Sequence, residues 1–72
     1  MKKEELSKRV GLKIRAVREA QGLSLQDFAD KVDLEYNNLI RIEKGRTNPT
    51  LVTLYKICQG LEVELKDIVD VE

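Results

Sequence analysis

Two residues, Asp33 and Leu34, separate one helical pattern from the next, and this short connection constrains the fold more than any other feature of the chain. Before it, Leu25, Phe28, Ala29 and Val32 recur at helical spacing behind Ser24. Ser24 is a good N-cap, and Asp27 at the third helical position makes a weak capping box. After it comes EYNNLIRIEKG, residues 35–45. A connection this short must be a tight turn, and Asp tolerates the left-handed conformation better than most residues. Leu34 is then expected to plug the junction between the two helices.

The second of these helices should end at Gly45, which can take the left-handed turn after a last helical position. At about 100° per residue, Leu39 and Ile42 share one side, with Asn38 at its edge. Tyr36, Asn37, Ile40, Arg41 and Lys44 share another arc, about 140° wide. The first side is fit for burial. The second mixes a phenol, an amide, a branched aliphatic, a guanidinium and an ammonium, where a solvated face would carry more Glu, Lys and Gln. These groups match what a DNA major groove presents: amide to adenine, guanidinium to guanine, aliphatic to the thymine methyl. An exposed Ile40 is either such a methyl contact or a stability cost. For Tyr36 the alternative is packing against the domain edge. Asn38, off the strip, reads as a capping or edge residue.

The other elements follow from the same punctuation. Leu6, Val10, Ile14 and Val17 predict a first helix over residues 4–21, closed by Gly22, with Lys8, Lys13, Arg15 and Glu19 on its other face. Gly11 inside it costs about 1 kcal/mol against Ala; it is either tolerated surface or a close helix contact. RTNPT, residues 46–50, is a polar loop whose exit Pro49 fixes. Thr50 caps a fourth helix bearing Leu51, Leu54, Ile57, Cys58 and Leu61. Val63 leads to a short last helix with Leu65, Ile68 and Val69. Helices of roughly 7–17 residues on short connections give an all-α, compact five-helix bundle, residues 1–72 forming a single domain.

Composition removes several function classes. The chain has no His and one Cys, which excludes an internal disulfide and a zinc-site pattern. Cys58 fits a small core residue in a reducing, cytoplasmic setting. No run is long enough to span a membrane, and MKKEEL lacks the apolar run of a signal peptide. There is no phosphate-cradling Gly loop and no catalytic constellation; Asp27 and Asp30 lie at helical spacing as a solvated face. No enzyme activity, cofactor, metal or small-molecule ligand is expected. Net charge is zero but unevenly spread: residues 1–22 carry seven basic and three acidic groups, residues 51–72 two and five. A local basic patch binds phosphates even so, although weak nonspecific binding should follow.

Two helices across a turn of about three residues, the second with a polar strip, form a helix-turn-helix. IRAVREAQGLSLQDFADKV, LIRIEKGRTNPTLVTLYKI and GLEVELKDIV, within residues 14–69, make the chain resemble the XRE/Cro-type helix-turn-helix family, with its lambda-repressor-like fold. The resemblance implies double-stranded DNA as partner. It implies base contacts from Tyr36, Asn37, Ile40 and Arg41. Phosphate contacts would come from the Ser24–Gln26 turn, through Ser24 and Gln26, and from Lys44, Arg46, Asn48 and Thr50. It also implies a structural ion pair between Arg18 and Glu43. The chain departs from the family pattern at Asp33 and Glu62, both usually Gly, at Glu64, usually a Ser or Thr cap, at Leu25, often Gln or Thr, and at Ile40, commonly polar.

The expected function is a sequence-specific transcriptional regulator. It would bind a pseudo-palindromic operator as a homodimer, through a C-terminal segment whose surplus of Leu65, Ile68, Val69 and Val71 is only partly core. Control would come through concentration, dimerisation or a partner protein. Other readings remain: a protein-binding module such as the antitoxin of a toxin–antitoxin pair, a restriction-modification controller, or a scaffold that has kept the fold.

Overall fold

The computed structural model describes residues 1–69. Among them are five α-helices and no strand: α1 Lys3–Ala20, α2 Leu25–Val32, α3 Tyr36–Glu43, α4 Leu51–Leu61 and α5 Leu65–Ile68. The first four helices end alike. Gly22, Asp33, Gly45 and Glu62 take positive φ, and in each case the next residue's N–H reaches back five residues. Leu23 donates to the Arg18 carbonyl, Leu34 to Ala29, Arg46 to Arg41 and Val63 to Cys58, at 2.9–3.2 Å. These are Schellman closures, which satisfy carbonyls that a helix end otherwise strands. Such closures often carry an apolar plug on the second residue. Leu23, Leu34 and Val63 are plugs of this kind, half-buried against the core. The plug position after α3 instead holds Arg46, which is exposed.

Side-chain caps start α2 and α4: Ser24 Oγ accepts from the Asp27 N–H at 3.0 Å, and Thr50 Oγ1 from the Thr53 N–H at 3.1 Å. At α5 Glu64 and Asp67 form a capping box, in which Asp67 Oδ2 accepts from the Glu64 N–H at 2.9 Å. The core draws on every helix: Val10 and Ile14 from α1, Phe28, Ala29 and Val32 from α2, Leu39 and Ile42 from α3, Leu54, Ile57, Cys58 and Leu61 from α4, and Ile68 from α5. Burial pushes the Cys58 thiol up from its ordinary pKa, as suits a packed rather than a reactive thiol.

The structure decides between or departs from the sequence expectations in several places. Of the two readings of Gly11, the close helix contact holds and tolerated surface does not. Gly11 is buried where α1 crosses α3, and a Cβ there would collide with the Ile42 carbonyl and approach the Glu43 carbonyl to 2.5 Å. Helix α5 is a single turn, because Val69 leaves it in an extended conformation and packs half-buried against the core. Leu51 lies outside the core at 75 % exposure, since α4 turns Leu54, Ile57 and Leu61 inward instead. Leu65 is also exposed, whereas Ile68 is fully committed to the core; Val71 lies outside the described residues.

Candidate nucleic-acid interface

Helix α3 is held by α1 along its buried flank. Gly11 lets the two backbones meet near Ile42 and Glu43. Beyond the helix end, Gly45 lies against α1 at Lys8, where an added Cβ would stand 2.6 Å from Lys8 Cα. Gly45 is thus fixed twice, by its φ of 70° and by this contact. The third tie is an ion pair between Arg18, 6 % exposed, and Glu43, 7 % exposed. Arg18 Nε donates to Glu43 Oε2 at 2.7 Å and Nη2 to Oε1 at 3.1 Å. Nη1 donates to the Leu23 carbonyl at 2.7 Å, so the guanidinium also binds the exit of α1. The hydrogen bonding of Arg18 to the Glu43 carboxylate raises the Arg18 pKa further, and desolvation opposes it only in part. The pair ties the last turn of α1 to the last turn of α3.

With its inner flank fixed, α3 turns a strip outward. Tyr36, Asn37, Arg41 and Lys44 are exposed, and Ile40 is half-buried. Ile40 therefore does not stand out as a bare aliphatic. It shares a shallow depression with Leu25 of α2, bounded by Arg15, Glu19 and Lys44, which lowers the cost of an apolar residue on this face. Asn38 is half-buried and makes no side-chain hydrogen bond among the described residues, so it is an edge residue rather than a cap.

The loop residues Arg46 and Asn48 are exposed beside the end of α3. Lys44, Arg46 and Arg41 have no carboxylate within ion-pair distance among the described residues, whereas Arg15 is paired with Glu19 at 3.2 Å and Lys66 with Glu64 at 3.3 Å. Ser24 accepts its capping bond through oxygen and keeps a hydroxyl proton to donate outward. Gln26 and Thr50 are more committed: the Gln26 amide donates to Asp30 Oδ1 at 3.0 Å, and the Thr50 hydroxyl to Thr53 Oγ1 at 3.1 Å. No cluster of three or more metal-ligating side chains occurs among the described residues, and no helix there is long and apolar enough to cross a membrane.

A capped short helix, a three-residue turn with a left-handed Asp33, and a second helix clamped from behind with its polar strip outward constitute a helix-turn-helix. The helix-turn-helix family model matches residues 14–68, and the chain belongs to that family. Similar proteins include an uncharacterized HTH-type transcriptional regulator, y4dJ, of Sinorhizobium fredii. It is 31 % identical over 65 residues, which is 90 % of this chain and 84 % of that one. The immunity repressor of Bacillus phage phi105 is 35 % identical over 63 residues, and the match spans 88 % of this chain but only 44 % of the repressor's length. The crystal structure of the restriction-modification controller protein C.AhdI from Aeromonas hydrophila superposes with a TM-score of 0.83 at 30 % identity, over 89 % of this chain and 96 % of that chain.

Proposed function

We propose that the chain is a sequence-specific DNA-binding transcriptional regulator whose α3 enters the major groove. The observation that carries this reading is the outward strip of Tyr36, Asn37, Arg41 and Lys44 on a helix whose other flank is immobilised by Gly11, Gly45 and the Arg18–Glu43 pair. Asn37 and Arg41 have the donor geometry for adenine and guanine edges. Tyr36 and Ile40 flank them as apolar contacts. Lys44, Arg46, Asn48 and the Ser24 hydroxyl meet phosphates, with Gln26 and Thr50 contributing only by exchanging their internal hydrogen bonds. Residues 1–72 act as one DNA-binding unit.

The chain works as a homodimer on an inverted repeat. The apolar surface for this lies on the exposed side of α4, at Leu51, Val52 and Tyr55, with Leu65 as the exposed contribution of the C-terminal segment. A restriction-modification controller is the more specific second reading, favoured by the likeness to C.AhdI over nearly the whole of both chains.

Selection of random duplex DNA by the purified protein tests the function. An enriched inverted repeat is expected, and no enrichment overturns the reading. On the selected site, Arg41→Ala and Asn37→Ala should each cost about 1–3 kcal/mol and erase preference at one position. Lys44→Ala should weaken all sequences alike and lower the logarithmic salt slope by about 0.9.

A further inference from the structure

We propose that Lys8, in the first half of α1, is a phosphate-binding residue that works with Lys44 and Arg46. The inference rests on the DNA-binding reading above and extends its surface onto a helix that otherwise serves only as a clamp. The stem of Lys8 lies over Gly45: a Cβ on that glycine would stand 2.7 Å from Lys8 Cγ and 2.8 Å from Lys8 N. Gly45 is flanked in the chain by Lys44 and Arg46, so the stem of Lys8 on α1 lies against the segment that carries two further cations. All three are exposed, and none has a carboxylate within ion-pair distance among the described residues. The first turn of α1 also forms a shallow groove with the loop, lined by Lys3, Glu4, Ser7, Arg46 and Asn48.

Charge and the contact of its stem with Gly45 favour this role over a merely solvated lysine. A phosphate oxygen attracts each of these cations, and every phosphate so neutralised releases condensed counterions from the duplex. The stem is already ordered by Gly45, so less side-chain entropy is lost on contact. Glu4, which borders the same groove, acts in the opposite sense and holds nonspecific affinity down.

The test measures affinity for the selected duplex against salt for Lys8→Gln, which keeps the stem over Gly45 and removes the charge. Lys13→Gln is the control, since Lys13 borders the groove between α1 and α5 instead. Lys8→Gln should lower the slope by about 0.9 and weaken every sequence by the same factor. Lys8→Arg should restore the slope, and Glu4→Gln should tighten binding to all sequences. A Lys8→Gln slope equal to that of the parent, in a protein that still selects its site and loses slope with Lys44→Ala, overturns the role of Lys8 alone. Loss of slope in Lys13→Gln as large as in Lys8→Gln also overturns it, because the effect is then one of net charge. A parent protein that binds no duplex at all overturns this proposal together with the reading beneath it.

Discussion

Arg18 and Glu43 are the residues on which the orientation of α3 depends most. Both groups are almost fully buried, and each hydrogen-bonding nitrogen of Arg18 already has a partner. Removing the carboxylate leaves a guanidinium that burial cannot neutralise, because it does not lose its proton at any ordinary pH. Glu43→Ala should therefore cost about 3–5 kcal/mol. In a domain of this size that is a fall in melting temperature of at least ~12 °C. A shift of a degree or so in a thermal melt would show that the pair bears little of the load. Replacing both partners together by Arg18→Met and Glu43→Leu should recover most of the loss, since no uncompensated charge then remains. That recovery would separate the cost of stranding a charge from the worth of the pair itself.

The four Schellman closures give a second prediction, at the scale of the element. Asp33 and Glu62 hold φ values of 57° and 58°, where Gly22 and Gly45 hold 72° and 70°. A left-handed conformation costs an ordinary L-residue roughly 1–2 kcal/mol. Glycine forfeits about 0.4–1 kcal/mol of that advantage through its freer unfolded chain. Glu62→Gly should therefore raise stability by about 0.5–1 kcal/mol, a few degrees in a melt, while Asp33→Gly should change little, because Asp tolerates this region. A lowered melting temperature for Glu62→Gly would mean that its side chain supports the turn in some other way. These turns also explain what the sequence made legible. Gly22, Gly45, Asp33-Leu34 and the capping Ser24 and Thr50 are local signals, so helix existence and order could be read from them. On α4 the inward Leu54, Ile57, Cys58 and Leu61 could be read as well, but the exposure of Leu51 on this helix could not. Its first two turns are apolar nearly all round, with Leu51, Val52, Leu54 and Tyr55 in five residues, and only its packing against α2, α5 and α1 selects the inward side. Lys8 escaped, and Gly11 was left open between tolerated surface and a close helix contact, for a related reason. Their roles depend on where α1 crosses the end of α3, a contact between residues more than thirty positions apart. In the candidate interface, the outward arc of α3 followed from helical angle alone, but the half-burial of Ile40 beside Leu25 needed the neighbouring helix.

At the scale of the whole molecule, one copy carries one reading helix and measures 32 × 22 × 20 Å. Two such bodies side by side are of the right size to set their reading helices about one DNA turn, roughly 34 Å, apart. The proposed seam has the composition for it. Leu51, Val52 and Tyr55 are 75 %, 66 % and 62 % exposed and lie within about 100° of one another on α4, with the Tyr55 hydroxyl bound by the Gln59 amide at 3.1 Å. A standard interface buries about 800 Å² per partner, a modest part of the 4953 Å² that one copy exposes. A charge in the middle of such a seam must be desolvated against its own symmetry mate, so Val52→Asp and Tyr55→Asp should each yield monomers in sedimentation or light scattering. Neither side chain is in the core, so the melting temperature of the monomer should stay close to that of the parent at low concentration. On DNA, the monomer should still recognise a single half-site while losing its extra affinity for the inverted repeat, because the second helix no longer arrives tethered to the first. If both variants remain dimeric with half-site spacing unchanged, the seam lies elsewhere, and Leu65 becomes the next position to charge.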